Sequence, residues 1–274
     1  MNETWQALAR EAGIAAEHMA MGVSALGKAD HARHAYYGQA FFALTIGFER
    51  SAKLALVVDY AIEHEGVFPD HAVLRKHSHH LRGLLEHADG IASRRGIPDQ
   101  YRLPRTPIHE GIVSVLSDFA TNVTRYYNLD LVTGDPRART QDDPIRAWFS
   151  RVTAPVLASH YRPRHRRQHE CNAALMQQVL GPYTRVSHHA ETGEPLSTLY
   201  EASLQTGVTN FAKPYTRMYV LQIARFLSVL LSELGHAGYQ LSTPLVPHLS
   251  EFFAIFFNDD NYFKKRKVWS IYRR

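Results

Sequence analysis

The amino-acid sequence predicts an all-α protein. In several long segments apolar residues recur at steps of three and four, and no segment alternates apolar and polar residues over a length that would support a sheet. Glycine and proline lie between these segments, where helices end or begin. The chain has 274 residues, of which 45% are hydrophobic and 21% are charged. These values are typical of a folded chain that buries its core without crosslinks.

Residues 33–64 predict the first long helix, because apolar side chains such as Phe41 and Phe48 recur on one face. Gly66 is expected to end this helix. Residues 69–93 predict a second helix, which starts at a proline and an aspartate. We expect the two helices to be antiparallel neighbours.

Prolines and glycines define the next two predicted helices. A third helix is predicted over residues 108–131 and ends before Gly134. A fourth begins at Pro144, directly after an aspartate that can cap it. We expect Pro155 to kink the fourth helix and Pro163 to interrupt it again, because proline lacks the N–H that a helix interior requires.

Residues 181–195 contain two glycines and two prolines with little periodicity, which predicts a loop or linker. It would separate a helical bundle, residues 1–180, from a helical C-terminal extension, residues 196–274, that packs on the bundle. Within the extension the predicted elements are helices at 196–209 and 215–234 and an aromatic run at 252–257.

The net charge of the chain is compatible with a polyanionic partner but does not identify one. The formal net charge is +5 and the pI is near 9.3. RNA or another polyanion would complement this charge, although a basic protein without such a partner has the same composition.

The chain is expected to be cytoplasmic. Its single cysteine, Cys171, excludes an intramolecular disulfide and a thiolate zinc cage, as in a reducing compartment. The first residues lack the basic and apolar regions of a secretory signal. The most apolar stretch, 218–234, contains Gln222, Arg225 and Glu233, which would be costly in a bilayer, so no membrane span is expected.

Several enzyme classes are not indicated. The sequence has no glycine-rich phosphate loop and no Gly-x-Ser-x-Gly elbow. Cys171 lies beside Glu170, whose charge disfavours a reactive thiolate. The histidines are clustered without a strong metal-ligand spacing, and the one-turn pair His165 and His169 has no obvious third ligand beyond Glu170. We therefore expect neither a cofactor nor a bound metal.

Two segments carry a family resemblance. Residues 48–54 read Phe-Glu-Arg-Ser-Ala-Lys-Leu, and residues 79–88 read His-His-Leu-Arg-Gly-Leu-Leu-Glu-His-Ala. They resemble the Glu/Arg-x-x-Lys and His-x-Leu-x-x-Leu-Leu patterns of the HEPN superfamily (higher eukaryotes and prokaryotes nucleotide-binding). The resemblance covers residues 33–135. It implies a HEPN-like bundle of roughly four or five antiparallel helices, commonly dimeric, with the active site at a two-fold interface.

The resemblance also implies a chemistry. Many HEPN proteins are metal-independent ribonucleases that use an arginine followed about one turn later by a histidine. The arginine would stabilise the charge on the phosphorane, and the histidine would move the proton between the ribose 2′-OH and the leaving oxygen. Candidate pairs include Arg75 with His80, Arg82 with His87 and Arg164 with His169, each at a spacing of five, and Arg162 with His169 at a spacing of seven.

The number of pairs does not identify the motif. With 24 arginines and 17 histidines, random placement gives about as many pairs, so the surrounding sequence must choose. Arg164 and His169 fit best, because a polar residue follows the arginine and the segment lies late in the bundle. We expect both side chains to face one phosphate.

Three further arginines, Arg162, Arg166 and Arg167, surround this pair and would hold a phosphate backbone by charge. The alternative for this stretch is a solvated basic face. A second candidate position is Arg125, which looks like a family arginine segment but has no histidine after it within reach. If Arg125 is the true equivalent, the protein binds RNA rather than cutting it.

Two other groups have both a functional and a structural interpretation. Glu49 and Lys53 form either an ordinary helical ion pair or, if they face a groove, a carboxylate beside cations that can orient a catalytic base or a phosphate. The C-terminal stretch 262–274 mixes cations with aromatic residues, which suits single-stranded nucleic acid, or else it returns its aromatic residues to the core. The candidate nucleic-acid contacts of this stretch are Lys264, Lys265 and Arg266.

The sequence thus predicts an RNA-directed HEPN-type protein, a ribonuclease of a prokaryotic defence or toxin system. It would act as a homodimer, with Arg164, His169 and Glu49 in the catalytic site and a further protein partner in that system. The alternative is a non-catalytic helical binding or assembly module that engages a protein or nucleic acid. The two differ in whether Arg164 and His169 point into a groove within reach of Glu49 or Arg125.

Overall fold

The computed structural model describes residues 3–70, 80–121, 124–136, 142–240 and 246–271. Over these ranges the protein consists of α-helices, short 3-10 and π-helical turns and one two-stranded ladder. The prediction of an all-α fold is confirmed. The HEPN-like order of the bundle stays a prediction.

The first two helices are α1 (Glu3–Leu26) and α2 (Ala35–Glu63). α2 confirms the helix predicted over residues 33–64. Gly66 follows it with a φ of 92° and donates its N–H to the carbonyl of Ala61 at 2.8 Å, which closes the last turn. α1 is not among the predicted helices, because alanine and glycine supply much of its buried face.

The two helices run antiparallel and approach each other closely at two glycines. A methyl carbon at Gly22 would lie 2.6 Å from Cγ of Leu44, and one at Gly47 would lie 2.6 Å from Cγ of Met19. Residue numbers rise along α1 while those of the contacted α2 residues fall, which defines the antiparallel direction. The pair depends on the absence of side chains at these two positions.

The prediction of a helix over residues 69–93 is only partly correct. α3 (Leu81–Arg94) is helical, whereas residues 69, 70 and 80 are not, and residues 71–79 lie outside the described residues. A short 3-10 turn, Asp99–Tyr101, follows α3.

Ion pairs join α3 to α2. Asp59 of α2 lies 2.7 Å from Arg94 and 2.7 Å from Arg95, at the C-terminal ends of both helices. The two helices are therefore neighbours, as expected, but like ends meet, so they do not form the expected antiparallel pair.

The prediction of a single helix over residues 108–131 is wrong. The structure has a helix α4 (Pro107–Ala120), which ends at Ala120, and a separate short helix, α5 (Tyr127–Thr133). The hydroxyl of Thr121 donates to carbonyls of the last turn of α4 at 3.2 and 3.3 Å, where a continued helix would place backbone N–H groups. Gly134, in the left-handed conformation, ends α5 as predicted.

The next elements are α6 (Pro144–Trp148), a π-helical turn (Phe149–Thr153), α7 (Ala154–His160) and α8 (Pro163–Leu180). Asp143 caps α6 by accepting two backbone N–H groups at 2.7 and 3.2 Å, so the predicted start is confirmed. The kink expected at Pro155 takes the form of the π-helical turn that precedes this proline. Pro155 cannot donate to the carbonyl of Arg151, and that oxygen lies against Gly111 of α4, where an added methyl carbon would be 2.3 Å away.

The two helices predicted over residues 196–209 and 215–234 are a single helix, α9 (Leu199–Tyr239), with Pro214 inside it. Thr198 caps its N-terminus by accepting the N–H of Glu201. α9 packs against α1, α2, α3, α4, α7 and α8. This packing outweighs the one backbone hydrogen bond that Pro214 removes.

The segment before α9 is a 3-10 turn, Gly181–Tyr183, and an antiparallel ladder of His188–His189 with Pro195–Leu196. Residues buried before and after this segment belong to one hydrophobic core. The division of the chain at residues 181–195 stays a prediction.

The tip of this hairpin is fastened by a buried carboxylate. Glu191 is 3% exposed and accepts hydrogen bonds from Tyr37 of α2 at 3.3 Å and from Thr209 and Gln205 of α9 at 3.1 and 2.7 Å. A buried carboxylate is tolerated where several donors face it, as here. The hairpin is thus anchored to both long helices.

The C-terminal elements lie on α9. They are α10 (Ser250–Phe253), a 3-10 turn (Ala254–Phe256) and α11 (Asp260–Lys265). The indole of Trp269 is buried. Its centroid lies 6.1 Å from that of Phe256, on which it stacks, and 5.8 Å from that of Phe263, which it meets edge to face. Phe263 and Trp269 of the C-terminal stretch therefore return to the core, and Tyr262 is partly buried.

Among the described helices, α9 is long and apolar enough to cross a membrane by length and composition. Within its most apolar window of 18 residues, 67% are buried inside the protein. Core helices pass the same test, so this is weak evidence for a membrane span.

Substitution of Gly47 tests the contact between α1 and α2. Gly47→Ala places a methyl group 2.8 Å from the backbone nitrogen of Met19, which the helix cannot easily move. We expect a loss of about 1–3 kcal/mol in the free energy of unfolding, measured by urea denaturation. Gly38→Ala, in the same helix, is the control, because nothing lies within 4 Å of the added carbon.

Gly38→Ala should leave stability unchanged or raise it by up to about 1 kcal/mol, since alanine favours the helix. Equal effects of the two substitutions would mean that α1 and α2 are not in this close contact.

Candidate nucleic-acid interface

Four arginines gather at the N-terminus of α8. Arg162 is the residue before the helix, and Arg164, Arg166 and Arg167 follow within it. All four are exposed. Pro163 fixes the start of the helix, since it favours the first helical position. We call these four arginines the basic cluster.

The basic cluster has little negative charge beside it. Within the described residues its ion pair is that of Arg166 with Glu170, at 2.9 Å, and the first turn of α8 contains no acidic residue. A helix N-terminus already carries free N–H groups and a positive partial charge, which cations there oppose. An anion bound at this end of α8 would relieve that repulsion.

The predicted tail residue Lys264 lies beside the basic cluster. Its Nζ is 5.8 Å from the centre of the Tyr215 ring, on which His160 is stacked at 4.2 Å. The pKa of His160 is lowered by burial first, and then by the positive charges of Lys264 and Arg162. These charges therefore come together around one ring, although about a hundred residues separate Lys264 from the arginines.

The other two tail cations are placed differently. Lys265 is exposed on α11. Arg266 lies over the indole of Trp269 at 5.1 Å, donates to the carbonyl of Val268 at 3.0 Å and contacts the hydroxyl of Tyr262. Contacts thus hold Lys264 at the Tyr215 ring, where its charge and that of Arg162 both act on His160, and hold Arg266 against the tail.

His169 lies on the side of α8 that packs against α9. A methyl carbon at Gly207 would be 2.9 Å from its ring, and its Nδ1 lies 2.9 Å from the hydroxyl oxygen of Tyr161. Burial, followed by the charge of His165, lowers its pKa from the ordinary value of 6.5. The imidazole is therefore neutral at pH 7 and close to the basic cluster.

Arg164 and His169 lie on different faces of α8. The Nε of Arg164 is exposed and lies 3.3 Å from Nε2 of His165, whereas His169 contacts α9. Five residues turn an α-helix by about 140° beyond a full turn. Within one chain the two side chains do not face a common phosphate, contrary to the expectation from their spacing.

Glu49 and Arg125 line one cleft, whose volume is about 390 Å³. Its other lining residues are Phe42, Thr45, Ile46, Arg50 and Ala120. Glu49 accepts a hydrogen bond from Lys53 at 2.6 Å. The structure thus brings two predicted site residues together, and none of the residues that line this cleft belongs to the basic cluster.

Aromatic rings hold Arg125 in this cleft. Its guanidinium carbon lies 5.2 Å from the ring centre of Phe42 and 5.4 Å from that of Phe119. Its Nε is buried and has no hydrogen-bond acceptor among the described residues. Arg50, which lines the same cleft, donates to both carboxylate oxygens of Glu11 at 2.8 and 2.7 Å.

Tyr161 is a site residue that the sequence does not reveal. It lies between α7 and α8, and its ring packs against Phe211 of α9 at 5.0 Å while its hydroxyl meets His169. The contact depends on how the chain bends before Pro163, which residue spacing does not specify. The one signal in the sequence is that Tyr161 lies just before the basic start of α8. Many tyrosines lie near a polar helix start, so this signal is not specific.

Metal ligation finds no support in the described part of the chain. No group of three or more histidine, cysteine, aspartate or glutamate side chains is arranged there to hold a metal ion. His165 and His169 both contact aromatic rings instead.

No family model, curated protein or solved structure matches this chain.

Titration of His169 tests its environment. Because burial disfavours the imidazolium, we expect the ring to titrate below pH 6.5. The contribution of the neutral ring to stability is then present above pH 6.5 and is lost as the pH falls through the lowered pKa. Histidine side-chain NMR measures this pKa, and His169→Gln identifies the signal. A midpoint at or above pH 6.5 would contradict the described packing against α9.

Proposed function

We propose that this protein is an RNA-directed, HEPN-like protein that holds the phosphate backbone of RNA at the basic cluster and Lys264. One observation carries this proposal: four arginines stand at a helix N-terminus, and only Arg166 has a carboxylate partner among the described residues. Cations are unfavourable at that end of a helix unless an anion joins them. A nucleic-acid backbone supplies a row of such anions.

Aromatic rings beside the cations favour a single-stranded nucleic acid over other polyanions. Tyr161, Phe211 and Tyr215 are partly exposed and form a continuous contact along α9, with centroids 5.0 and 5.3 Å apart. Lys264 lies over Tyr215. Sites for single-stranded nucleic acid combine a cationic groove with rings on which bases stack.

We further propose a cytoplasmic homodimer of a prokaryotic defence or toxin system, as the resemblance to the HEPN superfamily implies. An exposed apolar stripe on α8 supports self-association: Leu175, Met176, Val179 and Leu180 recur at the spacing of one helix face. A two-fold pairing that includes α8 can place Arg164 of one copy near His169 of the other. The two residues would then act together although they diverge within one chain.

The second candidate function is metal-independent RNA cleavage at Arg164 and His169, and the neutral imidazole favours it. A general base must be unprotonated at the working pH, and burial keeps His169 in that form. If Nδ1–H donates to the oxygen of Tyr161, Nε2 keeps a free lone pair that can accept the proton of a ribose 2′-OH. Arg164 would stabilise the charge that develops on the phosphate.

Salt dependence tests RNA binding. Arg164→Gln combined with Arg167→Gln should weaken the binding of a single-stranded RNA, measured by fluorescence anisotropy. It should also lower the slope of log K against log salt by about 1.4, since each lost phosphate contact contributes about 0.7. Arg146→Gln combined with Arg185→Gln removes the same charge from exposed positions outside the cluster and is the matched control. Equal losses in both double variants would contradict a specific site.

Cleavage in EDTA separates an enzyme from a binding module. If the protein is a nuclease, it cuts RNA without a metal, and His169→Ala lowers the rate by about 100-fold or more. Arg164→Ala should have an effect of about the same size. Equimolar mixing of the two single variants should restore part of the activity if the site forms between copies.

RNA binding without any cleavage would favour the alternative, a non-catalytic helical module. Cleavage that both substitutions leave unchanged would exclude Arg164 and His169 as the catalytic pair.

A further inference from the structure

A second place in the molecule has an unsatisfied cation, and it lies apart from the residues of the basic cluster. This place is the cleft at Arg125, which is lined by α2, the end of α4 and the turn after it. We propose that this cleft is a binding site for a phosphate monoester. The proposal does not depend on RNA binding at the basic cluster, because the two sites share no residue.

The guanidinium of Arg125 is fixed before any ligand arrives. Phe42 and Phe119 lie 5.2 and 5.4 Å from its central carbon and limit its orientations. An arginine held in this way loses little side-chain entropy when it binds an anion.

The charge of Arg125 lacks compensation within the described residues. The buried Nε has no acceptor, and no carboxylate there forms an ion pair with Arg125. The neighbouring charges are already balanced: Lys53 pairs with Glu49 at 2.6 Å, and Arg50 pairs with Glu11 at 2.7 Å. Arg125 is thus the cation of this cleft that a ligand would complement. Buried donors of this kind are rare unless something binds them.

The shape of the cleft suits a small phosphorylated molecule. Its volume of about 390 Å³ lies within the range of small-molecule sites. Phe42, which is 45% exposed, and Ile46 offer apolar surface beside the cation. A phosphate monoester has several acceptor oxygens, so it can accept hydrogen bonds from the terminal N–H groups of this guanidinium. Its organic part would then contact Phe42.

The phosphate monoester can come from two sources, a free phosphorylated metabolite or the terminal phosphate of an RNA. The probes that separate them are inorganic phosphate, AMP, adenosine and an RNA oligonucleotide with a 5′-phosphate or a 5′-hydroxyl. We expect phosphate and AMP to bind and adenosine not to bind. The RNA end is assigned if the 5′-phosphorylated oligonucleotide shifts the Arg125 Nε–H signal at a lower concentration than AMP does, while the 5′-hydroxyl oligonucleotide leaves that signal unchanged. The reverse order of the phosphorylated oligonucleotide and AMP would assign the metabolite.

The measurement is a titration of each probe at constant ionic strength, followed by the side-chain Nε–H signal of Arg125 in NMR and by the thermal unfolding midpoint. Arg125→Met keeps the aliphatic stem over the rings and removes the charge. We expect it to weaken phosphate binding at least tenfold. The free variant should be no less stable than the native protein, because it lacks the unsatisfied buried N–H.

Two further variants keep the test decisive. Arg125→Lys retains the charge without the planar fork and should bind phosphate with intermediate affinity, even if Arg125→Met fails to fold. Arg185→Met removes an exposed arginine outside the cleft and should bind as the native protein does. No response to phosphate or AMP, or an unchanged response in Arg125→Met, overturns the proposal. Neither result bears on RNA binding at the basic cluster.

Discussion

The rest of this structure depends on the burial of the apolar side chains of α9 by the other helices. α9 has 41 residues, and its buried positions include apolar side chains along most of its length. Three of its polar side chains are tied to the C-terminal segment. Arg217 donates to the carbonyl of Lys264 at 3.0 Å, and Gln222 and Arg225 both donate to Asp260, at 3.0 and 3.1 Å. The polar residues that interrupt this apolar stretch thus bind the last helix to it.

The candidate interface follows from the same helix. α8 lies on α9 through Tyr161, His169 and Phe211, and this contact turns the arginines at the start of α8 toward solvent. α11 lies on α9 as well, which brings Lys264 to the same place. The positive surface is therefore a product of tertiary packing, since neither segment alone contains all of its cations.

Local signals explain what could be predicted from the sequence. The start of α6 at Asp143 and the end of α2 before Gly66 depend on capping groups within a few residues, so residue types alone indicate them. The sequence does not predict α1, because alanine and glycine give a weak apolar pattern. These same small residues allow α1 to approach α2 closely. The sequence also does not predict that α9 continues through Pro214. The local signal there is a helix breaker, but tertiary contacts outweigh it.

In the candidate interface, too, local residue types indicate some features, and tertiary contacts determine the others. The arginines of the basic cluster lie close together in the sequence, so residue types alone indicate them. The partners of His169 and the position of Lys264 depend on distant segments. The predicted common direction of Arg164 and His169 fails because a spacing of five exceeds the helical repeats of three and four and turns the second side chain about 140° past the first.

The late position of α9 in the chain has a consequence for biosynthesis. A ribosome adds residues from the N-terminus, so α1, α2 and α4 emerge well before the helix that covers them. Until residue 239 has been made, the apolar faces of those helices have no native partner in α9. Apolar surface that is exposed during synthesis is prone to aggregation, and a pause in translation between α8 and α9 would prolong this exposure.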